Sequence, residues 1–137
     1  MTQESFEPLK EVPIKTSNDI VTVRQHVRTL AVQMNFSLVD QTKMITAASE
    51  IARNALEYGC GGHMLAEAVS DGTRQGLRLH FVDQGPGIAD VELAMRDGYT
   101  TGGGLGMGLP GTKRLVNEFA IESRVGEGTR VSITRWK

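Results

Sequence analysis

Five of the seven residues between 102 and 108 are glycine: Gly102-Gly103-Gly104-Leu105-Gly106-Met107-Gly108. Leu109-Pro110 follows at once. Glycine loses more backbone freedom on ordering than any other residue, so a run like this needs a compensating interaction. A row of exposed amide N–H groups lying close to an anion supplies one. Pro110 suits the first turn of a helix. A helix N-terminus adds free N–H groups and a dipole that favours phosphate. A flexible linker has a similar composition, but it has no reason to interrupt a chain of 137 residues, the size of one domain. The segment reads as a phosphate-binding loop. Two familiar phosphate loops do not account for it. Gly106-x-Gly108-x-x-Gly111 matches the dinucleotide pattern literally, but that pattern follows a strand and residues 98–104 do not form one. Gly106-x-x-x-x-Gly111-Thr112-Lys113 reverses the last two residues of a P-loop.

The rest of the chain supplies elements on either side of this loop. Residues 1–8 are polar and read as a flexible terminus. Val12 and Ile14 alternate with polar neighbours in a short strand, which Pro13 confines to a sheet edge. Ser17, Asn18 and Asp19 suit a helix start. Ile20, Val23, Val27, Leu30, Ala31 and Met34 then recur at helical spacing, up to Asn35. A second helix spans Leu38 to Tyr58, with Asp40 as a candidate cap and Gly59, Gly61 and Gly62 as its stop. His63–Val69 and the alternation about Leu77, Leu79 and Phe81 form a hairpin turned at Asp71-Gly72. Asp90–Asp97 reads as a short helix, and another runs from Pro110 to about Phe119. Ile121–Val125 and Thr129–Trp136 close the chain as a hairpin around Gly126-Glu127-Gly128. The order β-α-α-β-β-α-α-β-β, with no repeat or linker, predicts one α+β domain over 1–137. It is a two-layer sandwich with helices on one face of a mixed, largely antiparallel sheet.

Two further constellations carry chemistry. Glu50 and Asn54 lie four residues apart on the second helix, so they share a face one turn apart. A carboxylate beside the apolar stripe is partly desolvated and suited to taking a proton. The amide offers a hard oxygen to Mg²⁺, which keeps water and phosphate ligands as well. Glu57 lies on nearly the same face at the helix end and is a weaker candidate. Alone, Glu-x-x-x-Asn also fits a solvated helix edge. The other constellation is Asp83-Gln84-Gly85-Pro86-Gly87-Ile88 at a strand end. An Asp there can accept from an exocyclic amine such as adenine's, and Gly85 and Gly87 let backbone approach a flat ring. A plain turn closed by Asp, Gly and Pro fits the same residues. Cys60 and His63 are too few to make a metal site, and His26, His63 and His80 are scattered.

Composition excludes several classes. Lys and Arg total 15 against 16 Asp and Glu, a formal charge of −1, so no broad basic surface serves nucleic acid. No apolar run approaches the ~18 residues of a membrane span, and no signal-peptide pattern begins the chain. The single cysteine, Cys60, excludes an internal disulfide framework and fits a reducing cytoplasm.

Taken in order, these boxes resemble those of the Bergerat-fold, or GHKL, ATP-binding superfamily. They are Glu50-Ile51-Ala52-Arg53-Asn54, Asp83-Gln84-Gly85-Pro86-Gly87-Ile88, Asp97-Gly98-Tyr99-Thr100-Thr101, Gly103 through Gly111, and Glu127-Gly128-Thr129. The resemblance covers residues 12–136. Within the superfamily the chain looks like the small serine kinases of bacterial stress-response partner switching, the stressosome and anti-sigma-factor type. It has no room for the phosphoacceptor region of histidine kinases or the transducer domain of gyrase-type enzymes. The resemblance implies ATP and Mg²⁺. Glu50 would be the general base toward an attacking serine, Asn54 the Mg²⁺ ligand, and Asp83 the acceptor for the adenine amine, with Thr129 close by through water. Gly85 and Gly87 would let the base pocket close, and Gly104, Gly106 and Gly108 would lie along the phosphates. Lys113 and Arg114 are open between phosphate contact and solvent, and residues 89–101 would form a short lid. The implied partner is a STAS-domain antagonist or scaffold protein, with a PP2C-type phosphatase as a target of the freed kinase. The alternative is an anti-sigma factor or other ATP-gated module that sequesters its partner, a sigma factor included. Neither reading involves nucleic acid or membrane.

Overall fold

The computed structural model describes residues 11–87 and 108–137. In chain order these form β1 (Glu11–Ile14), α1 (Ser17–Gln33), α2 (Leu38–Glu57), β2 (Gly62–Ser70), β3 (Gln75–Asp83), α3 (Gly108–Lys113), β4 (Glu118–Arg124) and β5 (Gly128–Trp136). The five strands make one sheet in the order β1-β2-β3-β5-β4. Every pairing among them is antiparallel. Pro13 sits on an edge strand, as its missing N–H requires. The flexible terminus expected over 1–8, the helix expected over Asp90–Asp97, the lid expected over 89–101, and Ile88, Gly104 and Gly106 lie outside the described residues.

The two long helices are set by their ends. Thr16, one residue before the expected cap, begins α1. Its backbone N–H and that of Lys15 both donate to Asp19 Oδ2, at 3.0 and 2.7 Å. The helix closes on Asn35, whose φ is 63°. This left-handed residue lets Phe36 N–H reach the Ala31 carbonyl and Asn35 N–H the Val32 carbonyl, both at 3.0 Å. For α2 the cap is Ser37, not Asp40: Ser37 Oγ accepts from Asp40 N–H at 3.1 Å.

One face of the sheet is apolar and receives the helices. Val12, Met64, Ala66, Leu79, Phe81 and Ile133 are buried there, against Val23, Val27 and Ala31 of α1 and Met44, Ile45, Ala48 and Ile51 of α2. The period-two alternation of β3 and the 3.6-residue stripe of α2 meet in this core. The opposite sheet face mixes polar residues with Leu65, Val69 and Val82. His80 lies there between Ser132 and Glu67, each 2.8 Å from one ring nitrogen. The β2–β3 turn is tied by Asp71, whose Oδ1 accepts from Thr73 and Arg74 N–H. Those backbone donors hold its carboxyl far below the usual range.

One expected element is corrected. The helix begun near Pro110 ends at Lys113, and Phe119 belongs to β4, opposite Ile133. Leu115 N–H turns back to the Thr112 carbonyl at 2.9 Å, and Asn117 N–H joins Thr134 of β5. The Leu115 carbonyl is taken by Arg135 Nη1 at 2.9 Å. A turn and a strand that both face the core thus imitate helical spacing in Leu115, Val116 and Phe119.

The same Arg135 fastens the sheet to α2. Its Nε and Nη2 donate to Asp40 Oδ1 at 3.1 and 2.6 Å. These hydrogen bonds, more than the charge itself, hold the Asp40 carboxyl below its ordinary value despite partial burial. A carboxyl lowered in the fold contributes stability at neutral pH and loses it as the pH falls through the carboxylate range. Asp40→Asn is expected to lose about 1–3 kcal/mol at neutral pH. Urea titrations should also show a shallower acid-side fall in stability for Asp40→Asn than for the wild type.

Candidate functional site

The site gathers at one end of the sheet. Asp83 is the last residue of β3, facing Gly62 of β2 on one side and Thr129 of β5 on the other. Thr129 in turn faces Ser123 of β4. This row extends the apolar row of Phe81 and Val131 beyond the core, on the helix side of the sheet. Polar side chains there can meet a ligand without breaching the hydrophobic layer.

Asp83 is locked by backbone. Its Oδ1 accepts from Gly85 N–H at 2.9 Å and from Thr129 N–H at 3.2 Å. Among the described residues, both of these hydrogen bonds go to Oδ1 and none goes to Oδ2. Burial pushes the carboxyl above its usual value, while the two N–H donors pull the other way. The Thr129 hydroxyl is engaged across the β4–β5 pair, 2.8 Å from Ser123 Oγ.

The glycines here serve the chain first. A Cβ on Gly85 would fall 2.6 Å from the Gly59 backbone, and one on Gly87 would fall 2.1 Å from the Arg124 carbonyl. A Cβ on Gly128, where φ is 91°, would fall 2.1 Å from the Asp83 carbonyl. Close packing of the loop after β3 onto the end of α2 and the β4–β5 turn therefore demands these residues before any ring is considered. Gly59 is a site residue that the sequence marked only as a helix stop. Its Cβ would lie 2.4 Å from Asp83 Cγ, so the backbone after α2 is pressed against the carboxylate. The signal available was a glycine followed within three residues by two more, with nothing local to show what they touch.

On α2, Glu50 and Asn54 stand one turn apart as expected. Glu50 is 7% exposed, among the few buried polar residues of the described structure. Its Oε1 is ion-paired with Nη2 of Arg53, a contact the sequence did not disclose. Asn54 is half-buried, and its carbonyl receives Tyr58 N–H at 2.9 Å, drawing the helix end toward Gly59. Gly108 opens α3, which packs on α2. The chain leaving the glycine-rich run therefore returns to the helix that carries Glu50. Lys113 and Arg114 are exposed, and Glu57 is exposed at the helix end. Among the described residues no group of three His, Cys, Asp or Glu side chains could hold a metal alone. A site with one amide oxygen fits Mg²⁺ held jointly by Asn54, nucleotide phosphates and water.

Two substitutions test this geometry. Asp83→Asn keeps an oxygen for the Gly85 and Thr129 N–H groups and places a donor where Oδ2 was. Because burial raises the Asp83 carboxyl, its ionised form costs stability, and that cost grows as the pH rises through the folded value. Removing the charge is expected to leave Tm at neutral pH equal or higher, while ATP affinity falls about 100-fold by calorimetry. Gly59→Ala cannot be accommodated without moving Asp83 or the helix end. It should lower both Tm and ATP affinity.

Comparison with known proteins agrees with this geometry. Residues 39–137 match the family described as Histidine kinase-, DNA gyrase B-, and HSP90-like ATPase. The chain is 46% identical over 125 residues to Serine/threonine-protein kinase RsbT of Bacillus subtilis (strain 168), covering 91% of this chain and 94% of that one. It is 29% identical over 119 residues to Anti-sigma F factor of Thermoanaerobacter sp. (strain X514), covering 82% of each. Among solved structures, the RsbU and RsbW domains of Rv1364c from Mycobacterium tuberculosis superpose with a TM-score of 0.67 at 23% identity. That match covers 96% of this chain and 33% of the other, and it shows a shared fold. Since the matched residues run from the start of α2 through Glu50, Asn54 and Asp83 to the last strand, the chain belongs to the histidine kinase-, DNA gyrase B- and HSP90-like ATPase family.

Proposed function

We propose that the chain is an ATP-dependent serine/threonine-protein kinase that phosphorylates a serine of a STAS-domain antagonist or scaffold protein in bacterial stress-response partner switching. The family and the 46% identity to a serine/threonine-protein kinase support the activity. The observation that carries the chemistry is Glu50, a buried carboxylate one helical turn from Asn54. A module that only held its partner would have no use for a buried base there.

In this reading Asp83 Oδ2 accepts from the adenine amine, with Thr129 beside it. Gly104, Gly106 and Gly108 would serve the phosphates through their backbone N–H groups. Asn54 would hold Mg²⁺, which supplies charge neutralisation along the phosphates when bound. Glu50 takes the proton of the substrate serine. The serine oxygen bonds to the γ-phosphorus as the bond to the β–γ bridging oxygen breaks, and ADP leaves. The freed kinase then binds and activates a PP2C-type phosphatase. The whole of 1–137 acts as one kinase domain in the cytoplasm, and no described helix is long and apolar enough to cross a membrane.

A second reading is favoured by the likeness to Anti-sigma F factor of Thermoanaerobacter sp. (strain X514). In it the chain sequesters a partner such as a sigma factor, with ATP gating the affinity. Glu50 separates the two. Glu50→Gln is expected to bind ATP and partner normally while single-turnover transfer from ATP to a STAS-domain protein falls ~10²–10⁴-fold. Asn54→Ala should instead weaken Mg-ATP binding itself. Wild-type transfer rates in Glu50→Gln would refute the base. Absence of transfer by wild type to any partner it binds would favour sequestration.

A further inference from the structure

The reaction as drawn uses Glu50 but leaves its neighbour Arg53 without a part. Arg53 lies three residues after Glu50 and one before Asn54, on the same turn of α2. Its Nη2 is paired with Glu50 Oε1, and the two side chains are 31% and 9% exposed. Ion pairs three or four residues apart on a helix surface contribute only a few tenths of a kcal/mol, roughly 0.2–0.5. Helix α2 does not depend on one, being capped by Ser37, tied to β5 through Asp40 and packed along its apolar stripe. A pair serving stability alone would also gain nothing from burying its acid, because removing a carboxylate from water is costly unless it is well paired. The asymmetry matters: the acid is buried, and the base that reaches it is the more exposed of the two. A guanidinium is planar and always charged, and here one of its nitrogens, Nη2, holds one carboxylate oxygen, Oε1, which restrains how the Glu50 carboxylate can turn.

We propose that Arg53 is the positioning residue for the general base, its guanidinium orienting the Glu50 carboxylate for removal of the substrate serine proton. The step is the transfer already written. The proton passes to the Glu50 carboxylate while the serine oxygen displaces ADP from the γ-phosphorus, and Arg53 stays charged throughout. Arg53 acts through Glu50 and contributes nothing separate to nucleotide binding. The inference rests on the assignment of Glu50 as base, and the experiment distinguishes the two.

Single-turnover phosphotransfer from Mg-ATP to a STAS-domain protein is measured for wild type, Glu50→Gln, Arg53→Ala, Arg53→Lys and the Arg53→Ala/Glu50→Gln double variant, alongside ATP affinity by calorimetry and Tm. Misplacement of a catalytic group costs up to ~10²-fold, so Arg53→Ala is expected to slow transfer about 10–100-fold. Its ATP affinity should stay within about 2-fold of wild type. Arg53→Lys should regain part of the rate, since it restores the charge without the fork. The double variant should be no slower than Glu50→Gln alone, the signature of two residues acting as one unit. A further 10-fold loss in the double variant would overturn the proposal, because Arg53 would then act independently of Glu50. So would a wild-type rate in Arg53→Ala, or a loss confined to ATP affinity. If Arg53→Ala fails to fold, Arg53→Lys in both backgrounds gives the same comparison. If Glu50→Gln itself transfers at the wild-type rate, the base assignment fails, and the proposal with it. If Glu50→Gln is slow and Arg53→Ala is not, only the role of Arg53 is lost.

Discussion

The site depends on a carboxylate held by backbone. Asp83 Oδ1 accepts N–H groups from two places, the loop that follows β3 and the first residues of β5. Two fixed donors determine where that oxygen sits, and through it where Oδ2 points. The arrangement works only because the surrounding backbone comes closer than side chains would allow. Gly59 presses on the carboxylate, Gly85 on Gly59, and Gly128 on the Asp83 carbonyl. Positioning of this kind is rigid, since the groups that hold the carboxylate are backbone and glycine and have no rotamer to change. The site as a whole then follows from the ends of three elements: the C-terminus of α2, the last residue of β3 and the first of β5.

Much of this was legible in the chain. Hydrophobic period placed α2 to within one residue of its end, and the hairpin of β2 and β3 followed from alternation about Asp71-Gly72. Pro13 announced an edge strand. The Glu50–Asn54 pair could be read because its spacing is local and the helix repeat is fixed. Other features were not legible, for identifiable reasons. The helix expected through Phe119 stops at Lys113, and an arginine from β5 takes the Leu115 carbonyl just beyond it; no local pattern reveals a donor 20 residues away. Gly85 and Gly87 looked like room for a ligand. The direction a Cβ would take at each is occupied by the chain's own backbone, a long-range contact that sequence spacing does not encode. Arg53 was visible as a residue inside a quoted motif, but its partner depended on which rotamer meets a buried carboxylate.

The two faces of the sheet divide their tasks. The helix side is apolar through the core and polar at its two ends, at Arg135 where it meets Asp40 and in the row of Asp83, Thr129 and Ser123. The far side carries hydrogen-bonded polar groups such as His80 with Ser132 and Glu67. The apolar core and the polar row at Asp83 are therefore segregated along the length of the strands. This makes it physically reasonable for Asp83 to be changed without loss of the fold, whereas the glycines around it are bound to both tasks.

The strand order has a temporal consequence. Strand β3 pairs with β5 rather than with β4, and the hydrogen bond from Thr129 to Asp83 spans 46 residues. Closing so long a stretch of chain is entropically slow and must precede the contacts that reward it. During synthesis β1, α1, α2, β2 and β3 can all form before the Asp83 carboxylate has both of its backbone donors. Only when the last strand leaves the ribosome does Asp83 gain its second donor. The final strand therefore does two things at once: it gives the Asp83 carboxylate its second donor and adds Val131 and Ile133 to the core.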